Sequence, residues 1–444
     1  MMKHKPYPKY KPSGIDWIGD IPEGWSIQRL KWAFETMESG NREIGGGSLL
    51  DNGIFSLGGE HVGWYGEIFT ESKKYISEEY FARMKSGKIR EGDILFVKDG
   101  ATIGKCAFVE NIPDGKAAVN EHVFLIRPSR KYFGKYLFYF LWAHIGQEQF
   151  KLEIKGAAQP GLSSPFKNYC WVPLSNKEDQ QQIANFLDHK TAQIDDLVQK
   201  KEKMIKLLKE KRAAIINQAV TKGLDSNAKM KPSGIDWIGN IPAGWEVKKL
   251  AYISDIVLGK MLTPNDKGAY YLKYYLRAKN LGWLSTNVDD FKEMWFSSRE
   301  LKIYRLQKDD LLVSEGGEVG RTCIWNDELE ECYIQNSVNR VRVKKRMIAK
   351  YFLYQFYALG YGGYFESIVN RISIGHLTKE KLSSVKFLVP PEEAQQQIAD
   401  FLDQRTVEID GLIQKIESAI AKLREYRSSL ITAAVTGKID VRGK

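Results

Sequence analysis

The sequence predicts an α+β protein in which two mixed domains are joined by two long helices that form an antiparallel coiled coil. Two observations carry this prediction. The sequence contains an internal repeat, and each copy ends in a long segment whose apolar residues recur with heptad spacing. The length of 444 residues, with 43% hydrophobic and 27% charged residues, fits a globular protein with more than one ordinary core.

The internal repeat has a constant frame around a divergent middle. Residues 11–30, KPSGIDWIGDIPEGWSIQRL, return at residues 231–250 as KPSGIDWIGNIPAGWEVKKL, with 14 of 20 positions identical. Further on, QQQIANFLD begins at residue 180 and QQQIADFLD at residue 395. A period this long is typical of a duplicated domain pair, so the sequence predicts an internal pseudo-twofold repeat.

Each copy divides into a mixed part and a helical part. Residues 1–176 and 223–391 are rich in glycine and aromatic residues and contain short alternating runs, which predict two mixed domains. Residues 177–222 and 392–444 predict the two long helices, the second followed by a tail. The S-x-x-E spacing from Ser175 to Glu178 has the form of a capping box at the start of the first helix.

Both long helices carry apolar residues at heptad spacing, which predicts a seam between them. The alternative is that each amphipathic helix packs separately on its own mixed domain. The predicted seam residues are Leu187, Ile194, Leu197, Met204, Leu208 and Ile215 in the first helix, and Leu402, Ile409, Leu412, Ile416, Leu423 and Leu430 in the second.

The net charge of +11 suits a polyanionic partner such as DNA. The densest basic run is residues 340–346, where alternate cations on a strand could contact phosphates or guanine edges, or could form an ordinary solvated face. Other candidates lie beside glycines or are of the type that pairs with adenine. The predicted DNA contacts are His61, Lys98, Lys105, Lys155, Gln159, Arg277, Lys279, Asn280, Arg321, Arg340, Arg342, Lys344 and Arg371.

The sequence lacks the motifs of a catalytic or metal-binding chain. It has no G-x-x-x-x-G-K-[ST], no Asp/Asn-Pro-Pro-aromatic tetrapeptide, no H-E-x-x-H and no C-x-x-C. It also has no apolar run long enough for a membrane span and no secretory signal. We therefore expect a cytoplasmic protein with neither a catalytic site nor a metal site.

The layout resembles the specificity subunits of type I restriction–modification systems over essentially the whole chain. The matching features are W-I-G-x-I-P-x-G-W at the start of each copy, Q-Q-Q-I-A-x-F-L-D at each helix and A-V-T at each helix end. The resemblance implies two target recognition domains, each reading half of a split site in double-stranded DNA, with the helices as spacer.

The resemblance also implies partner subunits. These are two methyltransferase subunits that bind S-adenosylmethionine, and restriction subunits that use ATP and Mg, so that this chain binds no cofactor itself. Base-reading residues in the family vary with the target, and no contact can be carried over from it.

Two other classes of protein remain open from the sequence. One is a single-chain nuclease or methyltransferase with fused recognition domains, against which the missing cofactor motifs count. The other is a coiled-coil scaffold with no DNA role, against which the basic excess and the two divergent mixed domains count.

Overall fold

The computed structural model describes residues 5–43, 50–156, 160–236, 238–369 and 375–442. The chain forms two compact units. The first unit contains Met1–Lys201 and Ser418–Lys444, and the second contains Glu202–Glu417. Each unit therefore holds one mixed domain and a segment of both long helices. Within the described ranges, no helix is long and apolar enough to cross a membrane.

The core of each mixed domain is an antiparallel sheet of four strands with the same order in both units. In the first unit the order is Phe34–Ser39, Val123–Pro128, Ile94–Val97 and Cys106–Phe108. In the second unit it is Ser254–Leu258, Val338–Val343, Leu311–Ser314 and Thr322–Ile324. The inner strands are buried on both faces, which explains their continuous apolar runs. The duplicated architecture predicted from the repeat is confirmed.

A second sheet of three strands accompanies the first in each unit. Its strands are Tyr75–Ile76, Ile54–Leu57 and Ala117–Val119 in the first unit, and Lys292–Phe296, Tyr271–Leu276 and Tyr333–Ile334 in the second. The shorter two-stranded pairs are Tyr10–Pro12 with Asp20–Pro22, Ser26–Arg29 with Trp171–Leu174, Ile154–Lys155 with Gly161–Leu162, Met230–Pro232 with Asn240–Pro242, and Glu246–Lys249 with Lys386–Val389.

Short helices cover the sheets. In the first unit they are Glu78–Arg83, Gly134–Trp142 and His144–Glu153. In the second unit they are Leu250–Ile253, Ser298–Tyr304, Ala349–Tyr361, Tyr364–Ile368 and Lys379–Ser384. Gly134–Trp142 and Ala349–Tyr361 occupy corresponding places, and most of their side chains are buried.

The two long helices run from Lys177 to Lys222 and from Glu392 to Val435. The first begins with a different cap from the predicted one. The side chain of Asn176, rather than Ser175, accepts the backbone N–H of Asp179 at 2.7 Å. Asn176 is as good a cap as serine, and the helix begins at the next residue, Lys177.

The predicted seam consists of two rows of positions, each with a spacing of seven residues. The residues of one row are buried or half-buried as predicted. Leu187, Ile194, Leu402, Ile409 and Leu430 are buried. The remaining members of this row are half-buried: Leu208, Ile215, Ile416 and Leu423.

The second row of the seam, which we call the companion row, lies one residue further along the chain than predicted. Leu197, Met204 and Leu412 are 42%, 53% and 49% exposed. Buried or half-buried residues instead occupy the next position of each heptad: Thr191, Val198, Ile205, Arg212 and Ala219 in the first helix, and Thr406, Ile413, Ile420, Arg427 and Ala434 in the second.

Within each unit the two helix segments are antiparallel and joined by one ion pair. In the first unit Arg427 contacts Asp195 at 3.0 Å. In the second unit Arg212 contacts Asp410 at 2.5 Å. Both arginines belong to the companion row, and the two pairs are equivalent in the repeat.

The shared sequence frame fastens each mixed domain to its helix segments. The buried Gln180 accepts the N–H of Phe133 at 2.8 Å, and Gln395 accepts that of Ile348 at 2.9 Å. In each unit a tyrosine of the covering helix also donates to an aspartate of the F-L-D motif: Tyr139 to Asp188 and Tyr354 to Asp403. The repeated motifs therefore have a structural explanation in both copies.

Candidate nucleic-acid interface

The basic strand of the second unit does not present its arginines to solvent. Arg340 is buried, and its guanidinium donates to the carbonyls of Ile303 and Arg305 at 2.8 and 3.0 Å. Burial lowers the pKa of Arg340, and the neighbouring Arg342 lowers it further. This burial counts against the prediction that Arg340 contacts DNA, because its guanidinium is directed to carbonyls at the end of the helix Ser298–Tyr304.

Arg342 is committed to an internal partner. Its Nε and Nη2 each donate at 2.6 Å to Asp310, whose side chain is fully buried. Lys344 lies just beyond the strand, is exposed, and donates to the carbonyl of Tyr252 at 3.3 Å. The cations of residues 340–346 therefore do not form one exposed row, which counts against this strand as a DNA contact surface, although Lys344 remains exposed.

The first unit contains the same two-pronged pair. Arg127 donates through Nε and Nη2 to the two oxygens of Asp93, both at 2.9 Å. Burial raises the pKa of Asp93, while its hydrogen bonds raise the pKa of Arg127. These equivalent pairs neutralise a carboxylate that each sheet buries, so their role is structural.

His61 and Asn280 are also structural. Both are only 2% exposed and close corresponding turns. The Nδ1 of His61 accepts the N–H of Gly58 at 2.9 Å, and its Nε2 faces the carbonyl of Ser72 at 2.9 Å. Asn280 accepts the N–H of Arg277 at 3.1 Å and donates to two backbone carbonyls. Their burial counts against the prediction that they contact bases, because their polar atoms are already paired inside the domain.

The remaining cations of the second unit are partly paired. Arg277 and Lys279 both contact Asp290, at 2.7 and 2.9 Å, although the Lys279 side chain is 73% exposed. Arg321 pairs with Glu318 at 3.1 Å and donates to the carbonyl of Ala278 at 2.8 Å. Lys279 is thus the most accessible of these three predicted contacts.

In the first unit three predicted lysines converge on one end of the central sheet. Lys98 follows the strand Ile94–Val97, and the carbonyl of Lys105 accepts the N–H of Val97 at 2.8 Å. Lys155 is paired in register with Gly161, which in turn bridges to Asp99. We call residues 98–105, with their turn of glycines, the first glycine loop.

The lysines of this end are held over aromatic rings or stand exposed. The Nζ of Lys98 lies 5.1 Å from the ring centre of Phe124, and that of Lys105 lies 5.4 Å from the ring centre of Trp64. Lys155 is exposed. Ammonium groups supported in this way can bind phosphate or donate hydrogen bonds to the acceptors on a guanine edge.

The corresponding end of the second unit has a different charge. We call residues 315–321 the second glycine loop. Its first residue, Glu315, is equivalent to Lys98 of the first unit. The backbone carbonyl of Lys98 accepts the N–H of Leu162 at 2.7 Å, and that of Glu315 accepts the N–H of Leu377 at 2.8 Å. The two ends share a backbone frame and differ in their side chains.

Residues that the sequence prediction missed surround these loops. Trp64 contacts Lys105 of the first glycine loop, and Trp283 contacts Glu318 of the second. The sequence pattern that could have found them is the Gly-Trp shared by residues 63–64 and 282–283. Gln159 and Arg371 were also predicted contacts and lie outside the described residues. Across the described ranges, no group of three or more His, Cys, Asp or Glu is arranged to hold a metal ion.

Comparisons with known proteins identify the family of the chain. The family model described as "Type I restriction modification DNA specificity domain" matches residues 38–207 and 242–422. The putative type I restriction enzyme MjaX specificity subunit of Methanocaldococcus jannaschii is 25% identical over 448 residues, covering 96% of each chain. The MjaVIII specificity subunit of the same organism is 26% identical over 445 residues, covering 95% of this chain and 94% of the relative.

Two solved structures share the fold. A chain reported under "Structural basis underlying complex assembly and conformational transition of the type I R-M system" has a TM-score of 0.71 at 17% identity, covering 94% of this chain and 98% of that one. The HsdS subunit from Thermoanaerobacter tengcongensis has a TM-score of 0.52 at 18% identity, with the same coverage. With two matched specificity domains on a duplicated frame, the chain belongs to the family of type I restriction–modification specificity subunits.

Proposed function

We propose that each mixed domain reads one half of a two-part, asymmetric DNA target and that the long helices set the distance between the halves. The observation that carries this proposal is the contrast between the two glycine loops. Their backbones are held alike, but Lys98 is replaced by Glu315 and Lys105 by Arg321. Two readers that differ at equivalent positions should recognise different bases.

We also propose that two identical methyltransferase subunits dock on the long helices. Leu197 and Leu412, which the seam leaves exposed, are equivalent positions of the repeat. A subunit that recognises one of these apolar positions would meet the same local surface again at the other. This duplication favours two copies of one partner over a single copy.

Catalysis in this proposal resides in the partners. S-adenosylmethionine would be bound by the methyltransferase subunits, and ATP and Mg by restriction subunits, all acting in the cytoplasm on double-stranded DNA. The purified chain should neither methylate nor cleave DNA and should not hydrolyse ATP. Turnover that follows this chain through successive purification steps would contradict its assignment as a non-catalytic subunit.

The decisive experiment is to map methylated sites in cells that express the chain with its methyltransferase. We expect one motif with two unlike halves separated by a fixed number of unspecified bases. A second strain should carry the triple variant K98A/K105A/K155A, and a matched control should carry K279A in the second domain.

The triple variant should relax or abolish the specificity of one half-site, and the control should affect only the other half. A continuous motif, a perfect palindrome, or equal loss in both halves from the triple variant would contradict the proposal.

A further inference from the structure

Two arginines occupy corresponding positions of the companion row, one in each long helix. Arg427 in the first unit is 4% exposed, and the side chain of Arg212 in the second is 19% exposed. A charged group at a seam position costs stability unless it is fully paired, so an explanation for its presence is needed. Both arginines bridge to an aspartate of the other helix: Arg427 to Asp195 and Arg212 to Asp410.

Each arginine also contacts its mixed domain. The guanidinium carbon of Arg427 lies 4.5 Å from the ring centre of Trp142, and its Nη2 donates to the carbonyl of Tyr65 at 3.4 Å. Arg212 lies 5.4 Å from the ring centre of Tyr357 and donates to its hydroxyl at 3.2 Å. Trp142 and Tyr357 are equivalent in the repeat. One side chain thus joins two helices and a domain at the same point in each unit.

In the first unit the contacts continue to the first glycine loop. The Nε1 of Trp142 donates to the carbonyl of Trp64 at 2.6 Å. The ring of Trp64 in turn supports the ammonium of Lys105. Arg427 therefore contacts Trp142, which is hydrogen-bonded to Trp64, and the ring of Trp64 lies beside the predicted DNA contact Lys105.

In the second unit a different set of residues connects Arg212 to the second glycine loop. Tyr357 meets the ring of Trp283 edge-on, with centres 5.6 Å apart. The Nε1 of Trp283 donates to Glu318 at 2.5 Å, and Glu318 pairs with Arg321. Gly360 is required here, because a Cβ at that position would lie 2.1 Å from the Trp283 ring.

We propose that Arg427 and Arg212 are positioning residues for DNA recognition, each fixing its glycine loop on the helix pair through the tryptophan behind the loop. This inference rests on the proposed function and goes beyond it, because it names residues that control spacing without touching DNA. Loosening either arginine should let its domain shift on the helices. The half-site bases should stay the same while the tolerated spacer broadens.

The test measures spacer preference. The full chain, assembled with its methyltransferase, binds competing duplexes in which both half-sites are kept and the spacer is changed one base pair at a time. For R427Q we expect the preference for the native spacer over its immediate neighbours to fall about tenfold, as expected when a buried charge pair is broken. Half-site discrimination, measured with single-base changes, should remain at the wild-type level.

Matched variants separate positioning from general destabilisation. R405Q removes an arginine of the same helix that is half exposed and pairs with Glu408 on its own helix, and it should leave the spacer profile unchanged. R427K keeps a cation near Trp142 without the two-pronged contact and should retain more of the preference than R427Q. D195N removes the acceptor charge from the other helix and carries the test if R427Q does not fold.

The outcomes distinguish this inference from the function on which it rests. A wild-type complex without any spacer preference contradicts the proposed function, and with it this inference. A sharp wild-type preference that folded R427Q or D195N retains unchanged overturns the inference alone. Equal loss of affinity for every spacer would also overturn it, since that result indicates a merely structural role.

Discussion

A charged side chain in a sequence does not reveal whether its charge is directed at a ligand or at a partner inside the protein. Arg342 illustrates the difficulty. The alternation of residues 340–346 predicted a strand, which in the structure is Val338–Val343, but Asp310, which neutralises Arg342, comes from another part of the chain. His61 and Asn280 show the same difficulty, because their hydrogen-bond partners are backbone groups that only the fold brings close.

The Arg342–Asp310 pair supports a stability prediction. R342M should leave the fully buried Asp310 carboxylate uncompensated and destabilise the second unit by about 2 kcal/mol. This is less than for a fully buried pair, since Arg342 is about one-third exposed. The double variant R342M/D310N should recover part of the loss, because no charge is then left buried.

Urea unfolding with domain-specific probes measures this effect. The equivalent R127M in the first unit, where Asp93 is the partner, is the matched comparison. An additive double variant, with the two losses simply summed, would show that the pair is not coupled.

The three lysines at the sheet end of the first unit should also contribute their charge to DNA affinity. Changing Lys98, Lys105 or Lys155 singly to alanine should weaken binding. For each phosphate that is no longer neutralised, the slope of log affinity against log salt should fall by about 1. K203A, an exposed lysine on the first long helix, serves as the control. Salt dependence that is identical in all four variants would remove these lysines from the interface.

At the scale of elements, the long helices show what periodicity can predict. The seven-residue repeat located both helices and one row of the seam. The companion row was misplaced because its true positions include polar residues: Thr191, Arg212, Thr406 and Arg427. These are buried because the mixed domains supply their partners, such as Tyr139 for Thr191 and Tyr357 for Arg212.

The corrected seam predicts opposite outcomes for two leucines of one helix. L402A removes a fully buried side chain and should cost about 2–5 kcal/mol of unfolding free energy. L412A removes a side chain that is 49% exposed and should change stability by less than about 0.5 kcal/mol. Thermal and urea unfolding of the two variants measure the difference.

L412A should instead weaken methyltransferase binding if this face docks the partner, which titration of the partner onto the variant would show. If the two variants were equally destabilised, the assignment of Leu412 to the exposed face would be incorrect.

At the scale of the whole molecule, the repeat allowed the fold and the family to be predicted, while the DNA contacts were mostly beyond reach. Repeated motifs such as Q-Q-Q-I-A are repeated because both units use them structurally. The residues that we propose to read DNA are ones that differ between the halves, and a comparison of the two copies offers no pattern for them. Trp64 and Trp283 were recoverable only as a shared Gly-Trp whose function the sequence did not indicate.

The helices predict a spacer that can be altered by design. Asp195 lies beside Arg427, so Lys200 is near the level of Lys422 in the antiparallel pair. One heptad inserted after Lys200 and another after Ala421 keep the seam in phase and lengthen both helices by about 10 Å. This corresponds to roughly three base pairs of rise, which also turn one half-site by about 100° around the duplex.

We therefore expect the paired insertion to give either a longer preferred spacer or a sharp loss of binding, with the bases of each half-site unchanged. Selection from a library of spacer lengths distinguishes these results. An insertion in one helix alone is the control and should destabilise the fold. Undiminished binding of the original site by the paired variant would show that the helices do not set the spacing.

The equivalent Arg–Asp pairs inside the two sheets have a consequence for how new specificities arise. Arg127 with Asp93 and Arg342 with Asp310 hold each sheet from within, and Gln180 and Gln395 fasten each domain to its helix. These contacts are internal to each unit and do not involve the side chains of the glycine loops. Mutations in the glycine loops can accumulate, or a whole middle segment can be exchanged between copies of the gene, while the protein still folds. A cell could in this way change the DNA that it marks as its own without evolving a new scaffold.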